Sequence, residues 1–202
     1  MGNEAAVTWK PRDAWHGILD RATTSPDGGL SITPIYGRSL IHLSTAQDDH
    51  DAFAQAVRAI FGAAPPATPR RIKIPGLDLS WAGPHQWMLS FEDRTIGFDA
   101  IEKIQSWASL TDLTGSRAII SIAGPQSGLL LAKGCPIDLH PRVFKPDDVA
   151  LTMIGHINVQ LCQTGGEPSY EITLFRSLAK TFWSWLSAAA LSFELTGDAI
   201  PT

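Results

Sequence analysis

The groups in this chain best suited to nucleophilic, metal or acid–base chemistry are its 2 cysteines, 6 histidines and the paired carboxylates, so their spacing is the first question, and no Gly-x-Ser-x-Gly elbow offers a serine nucleophile. Cys135 and His140 share the stretch Leu130-Leu-Ala-Lys-Gly-Cys-Pro-Ile-Asp-Leu-His-Pro-Arg-Val-Phe144, and a thiolate–imidazole pair is the minimum for thiol catalysis. Cys135, however, lies just past a predicted helix C-terminus, where the negative end of the dipole raises a thiol pKa. A buried structural cysteine is the expectation. The six histidines, His16, His42, His50, His85, His140 and His156, show no His-x-x-x-His spacing, and Cys135 and Cys162 are far apart, so no metal site is expected. His42 falls in a strand pattern and reads as a hydrogen-bonded sheet histidine. Gly124-Pro125-Gln126-Ser127-Gly128 follows a strand and opens a helix, superficially like a dinucleotide turn. Pro125 lacks the N–H such a turn needs, and Gly-x-Gly is absent. The doublets Asp48/Asp49, Glu92/Asp93 and Asp147/Asp148 sit at predicted element ends, where acids start helices and turns more often than they form catalytic pairs.

The elements that would carry these groups can be read from periodicity and turn signals. Residues 1–29 read as an extended N-terminal arm anchored by Trp9 and Trp15, closing on the turn cluster Ser25-Pro-Asp-Gly-Gly29. Strands are predicted at 30–36 and 39–43, then a helix from Gln47 to a stop at Gly62 with Phe53, Val57, Ile60 and Phe61 at helical spacing. Three strands follow (72–74, 77–81 and 87–91), then a helix over 95–107 carried by Phe98, Ile101, Ile104 and Trp107. The order then repeats: strands at 110–113 and 118–123, a helix over 125–133 ended by a left-handed Gly134, strands at 149–154, 157–163 and 170–175, and a helix over 177–190. Arg38-Ser-Leu-Ile-His-Leu43 matches Arg117-Ala-Ile-Ile-Ser-Ile122, and Arg94 and Arg176 each follow the last strand of a half. The chain thus reads as one α+β domain of duplicated β-β-α-β-β-β-α halves (30–109 and 110–193, with a tail at 194–202), sheets on one side and helices on the other.

Composition narrows the function classes. The 202 residues are 44% apolar and 18% charged, with a net charge of −4, which argues against a nucleic-acid or anionic-membrane partner. No apolar run reaches the ~18 residues of a membrane span, no secretory leader is evident, and two cysteines are too few for a disulfide scaffold; a cytoplasmic protein is expected. The 7 Trp are a large aromatic load. Trp183 and Trp185 differ by about 200° around a helix, so one of them is expected to face away from its sheet, toward a partner.

At this point the motifs resemble a family. Lys133-Gly-Cys-Pro-Ile-Asp-Leu-His-Pro-Arg-Val-Phe144, preceded by Ile120-Ser-Ile-Ala-Gly-Pro125, with Ala82-Gly-Pro-His-Gln-Trp-Met-Leu89 and the Trp-x-Trp of the last helix, resembles the gamma subunit of heterotetrameric sarcosine oxidase. The resemblance covers roughly residues 30–190 and implies a fold akin to the folate-binding domain of glycine-cleavage T-proteins, in agreement with the repeat. T-proteins carry a catalytic aspartate in a Gly-Gly-Ile-x-Asp-Asp type strand, and the similar stretch here is Gly155-His-Ile-Asn-Val-Gln160, which places Val159 and Gln160 at the acidic positions.

By resemblance the chain is expected to be a non-catalytic accessory subunit without a cofactor of its own. FAD, FMN, NAD and tetrahydrofolate would belong to the partner alpha, beta and delta subunits. The partner interface is expected at Trp9, Trp15, Asp138, His140, Arg142, Trp183 and Trp185. The alternatives are a stand-alone folate-dependent T-protein-like protein, which needs an acidic residue aimed into a central cavity, and a ligand-free homodimeric scaffold.

Overall fold

Short alternating strands broken by Gly, Pro and Asp turns, with four apolar-faced helices, leave few ways to bury one face of every element. The computed structural model describes residues 13–165 and 167–193. The elements are β1 (Thr23–Thr24), β2 (Ser31–Ile35), β3 (Ser39–Ser44), α1 (His50–Phe61), β4 (Arg71–Ile74), β5 (Leu77–Gly83), β6 (Gln86–Phe91), α2 (Arg94–Ile104), β7 (Ser109–Asp112), β8 (Arg117–Ala123), α3 (Ser127–Ala132), β9 (Val149–Ile154), β10 (Ile157–Gln163), β11 (Ser169–Phe175) and α4 (Ala179–Ala190).

The strands form two antiparallel sheets, β4-β5-β6-β3-β7 and β1-β2-β8-β11-β10-β9. The repeat order is as read from sequence, but the halves exchange their first strands. β2 pairs with β8 of the second half, Ile35 opposite Ile119, and β7 pairs with β3 of the first, Leu110 opposite Leu43. The sheets do not share one side with the helices on the other. Leu40, Met88 and Ile119 from both sheets form a small cluster between them. The larger apolar clusters lie on the outer faces, Phe53, Val57 and Ala100 of α1 and α2 on one and Leu130, Phe182 and Leu186 of α3 and α4 on the other. Full burial of a side chain such as Phe182 or Leu186 stabilises the fold by about 1.5–3 kcal/mol each.

Helix ends follow local chemistry. The Gly62 N–H closes α1 on the Arg58 carbonyl at φ 76. Asp93 caps α2 by accepting from the N–H groups of Thr95 and Ile96. The face of α2 departs from expectation. Gly97, Ala100 and Ile104 are buried, while Phe98 and Trp107, expected to face inward, are 59% and 45% exposed. A methyl group on Gly97 would lie 2.2 Å from the Phe91 ring, so α2 sits too close to the sheet for a large side chain there.

The central stretch also departs in detail. Leu139 and Phe144 pin it to the core, as read from sequence. Gly134, expected as a left-handed stop, is not among the glycines of positive φ. It is small because Trp185 lies on it: a methyl group there would sit 2.3 Å from the Trp185 ring, and one on Gly155, in the β9–β10 turn, 2.5 Å. Trp185 is therefore half-buried over two glycines, Trp183 is 4% exposed, and neither points away from the domain.

The expected arm is built into the domain from Trp15 onward. Trp15 is 1% exposed, its indole N–H donates to the Ile119 carbonyl of β8 at 2.7 Å, and Leu19 is fully buried. Trp15 is thus a core residue of this chain rather than an interface residue. Trp9 lies outside the described residues.

Candidate functional site

Between the sheets lies a cavity of about 680 Å³, lined from β3, β5, β6, β8, β9, β10 and β11. Strand alternation turns Asn158 and Gln160 of β10, Leu151 and Met153 of β9 and Thr173 and Phe175 of β11 toward it. Thr152, Val159 and Leu174 between them also border it, Val159 and Leu174 being buried in the cluster on the outer face. The polar groups are largely committed. His42 Nε2 and Gln86 Oε1 meet at 3.1 Å, and the Gln160 amide donates to the Trp81 carbonyl across the sheets at 2.8 Å. Arg117 lies over the Phe175 ring, 4.0 Å from its centre. Leu151, Met153 and Phe175 are about half exposed at the rim, at 51%, 48% and 48%.

Among the described residues the cavity lining contains no aspartate or glutamate. Val159 and Gln160, the residues at the acidic positions by resemblance, both line it. A group of roughly this volume fits small-molecule ligands of ordinary size, so space is not what is missing for a folate. What these residues do not offer is a carboxylate to hold or accept a proton there.

The other chemical candidates resolve as structural. Cys135 is buried and its thiol is pushed up by that burial. Burial pushes the Cys162 thiol up to about 12 despite the nearby Arg71 guanidinium; neither is an activated nucleophile. His140 does not pair with Cys135. Its Nδ1 accepts from the Arg142 N–H at 3.2 Å, and Asp138 Oδ1 accepts from the His140 N–H at 2.9 Å. Asp138, His140 and Arg142 thus form one exposed turn. In the Gly124–Ser127 turn the Gln126 N–H already donates to the Gly29 carbonyl, which leaves no free cradle for a phosphate. Among the described residues no group of three or more His, Cys, Asp or Glu could hold a metal ion, and no helix is long and apolar enough to cross a membrane.

Sequence reading did not find the cavity, whose wall is gathered from seven strands, nor the cluster of His50, His85 and Trp87. There the two imidazoles meet edge to face at 4.9 Å and His50 stacks on Trp87. The signal available was only that each lies at a strand or helix end.

Two exchanged-strand halves enclose a central cavity, the layout that the resemblance to the T-protein fold implies. Comparisons with known proteins agree. The profile of the sarcosine oxidase, gamma subunit family matches residues 45–192, and the chain belongs to that family. It is 31% identical over 123 residues to the sarcosine oxidase subunit gamma of Corynebacterium sp. (strain U-96), covering 60% of each chain. It is 29% identical over 122 residues to that of Corynebacterium sp. (strain P-1), covering 59% of this chain and 60% of the relative. The match therefore spans about 60% of the length of these relatives. A chain of the heterotetrameric sarcosine oxidase from Corynebacterium sp. U-96 in complex with pyrrole 2-carboxylate shares the fold with a TM-score of 0.77 at 24% identity, over 92% of this chain and 97% of that one. The glycine cleavage system aminomethyltransferase T from Bartonella henselae does so at 0.56 and 15%, over 85% of this chain and 47% of that one.

Proposed function

We propose that this chain is a non-catalytic accessory subunit of a heterotetrameric flavin-dependent sarcosine oxidase, a complex that oxidatively demethylates sarcosine or a related N-methyl amino acid. On this reading it docks on the alpha subunit, the beta and delta subunits complete the assembly, and FAD, FMN, NAD and tetrahydrofolate are carried by the partners. The observation that carries it is the central cavity. Its described lining residues include no carboxylate, while its rim holds three half-exposed large apolar side chains, Leu151, Met153 and Phe175. Such a rim suits the buried centre of an interface better than a catalytic mouth. The exposed turn of Asp138, His140 and Arg142 supplies polar groups for the same role.

The test is co-expression of a tagged chain with the partner subunits, followed by absorbance of the eluate at flavin wavelengths. The wild-type chain is expected to bring a flavoprotein with it. The Leu151→Asp/Met153→Asp double variant is expected to reduce the flavin recovered at least tenfold, because two charges would have to be desolvated at the contact. Its own melting temperature should hold within a few degrees, since both side chains already meet water. Undiminished recovery with the double variant would refute the rim as the contact surface, and a wild-type chain that elutes alone would refute the accessory reading.

A further inference from the structure

On the other side of Arg117 lies a second, more polar cavity, of about 260 Å³. Four arginines line it: Arg38, Arg94, Arg117 and Arg176. Their convergence follows from the duplication. Arg38 and Arg117 occupy equivalent places at the start of β3 and β8, and Arg94 and Arg176 follow the equivalent strands β6 and β11. The strand exchange brings both pairs around one point, where the 114–116 turn also contributes Thr114.

Among the described residues, carboxylates reach only some of these arginines. Arg38 is neutralised by Glu171 and by Glu92, the latter at 3.1 Å. Asp13 is the one carboxylate among the described residues of the lining, and it forms no ion pair with a described residue. Arg117 and Arg94 have no carboxylate partner among the described residues. Among the described residues Arg117 makes a 3.4 Å hydrogen bond to the Ser116 hydroxyl and the contact with Phe175, and burial lowers its pKa. A partly buried cation without a counter-charge is costly. Arg94 is the first residue of α2, where the dipole disfavours a cation and favours an anion. Arg176 opens the short 3₁₀ turn that leads into α4.

We infer that this cavity binds a small oxyanion, of the phosphate or compact dicarboxylate class, held by Arg94 and Arg117 beside the start of α2. A planar guanidinium fork matches such an oxyanion bidentately. The oxyanion comes either as a free ion or as an acidic side chain of a docked subunit. Anion binding by the isolated chain does not depend on the accessory-subunit reading; a docked subunit's side chain as its source does.

The experiment is calorimetric titration and thermal melting of the full chain with inorganic phosphate and with succinate, against sodium chloride at matched ionic strength. Saturable binding of either anion and a concentration-dependent rise in melting temperature are expected. Arg94→Gln and Arg117→Gln should each weaken it at least tenfold, and Arg58→Gln, on the exposed side of α1, should leave it unchanged. Arg94 is exposed, so its variant keeps the test valid even if Arg117→Gln folds poorly. No effect beyond matched chloride, or full affinity in Arg94→Gln, overturns the inference. Repeating the titration on the assembled complex identifies the source: retained phosphate binding points to a free ion, and binding lost on assembly points to a partner carboxylate in its place.

Discussion

Replacing Trp15 by alanine is expected to destabilise the isolated chain by about 3–5 kcal/mol, the range for truncating a fully buried large aromatic. The residue is 1% exposed within this chain alone, packed in the cluster that backs β8 and α4. Its indole N–H donates to the carbonyl of Ile119, which lies on a strand hydrogen-bonded on both sides, to β2 and to β11. Truncation therefore opens a cavity and removes a hydrogen-bond partner at the strand that joins the two halves. Urea unfolding of the purified variant measures this directly. A residue whose role was to contact a partner would behave otherwise: the midpoint of the isolated chain would stay where it is and only association would weaken. An unchanged midpoint would contradict the assignment of Trp15 to the core.

Replacing Arg71 by methionine is expected to cost about 2–4 kcal/mol, somewhat under the range for breaking a fully buried ion pair because its partners keep some water. The Arg71 side chain is 5% exposed, while Asp147 and Asp78 are 33% and 28% exposed. The guanidinium donates twice to Asp147 Oδ1, at 2.7 and 3.1 Å, and lies 3.5 Å from Asp78. Around it, the Arg71 N–H donates to the Asp147 carbonyl, the Val149 N–H to the Pro69 carbonyl, and Arg70 pairs with Asp148. This seam ties the edge strand of the first-half sheet to the entry of β9. Methionine keeps the volume of the side chain and removes the charge, so a loss of stability reports on the electrostatics and not on a void. A variant that unfolds at the wild-type urea concentration would show that backbone pairing alone holds the seam.

Much of this architecture was legible because it is local. Proline–glycine and aspartate turns separate alternating strands, and Gly62 and Asp93 end and start helices by chemistry within one turn of themselves. The exchange of β2 and β7 was not legible, since alternation tells which residues face inward but not which strand lies alongside. Large apolar side chains misled at α2. Phe98 looked like core, but Gly97 and Ala100 are what allow the helix to approach Phe91. Trp185 misled for the same reason, because its partners, Gly134 and Gly155, leave no hydrophobic signature. Trp15 sat in a polar segment, and its hydrogen-bond partner is 104 residues away. At the site, the uncharged pair Val159 and Gln160 could be located by resemblance, whereas the cavity they line is assembled from strands far apart in the chain.

On the proposed reading this chain supports a flavoprotein assembly and performs no folate chemistry of its own. Sedimentation velocity of the chain mixed with the flavin-bearing subunits, recorded at protein and flavin wavelengths, tests it most directly when paired with a titration of the isolated chain with reduced folate. The chain is expected to co-sediment stoichiometrically with the flavin, to be colourless by itself and to give no one-carbon transfer. A chain that sediments alone, binds reduced folate tightly and turns over a one-carbon substrate would contradict it.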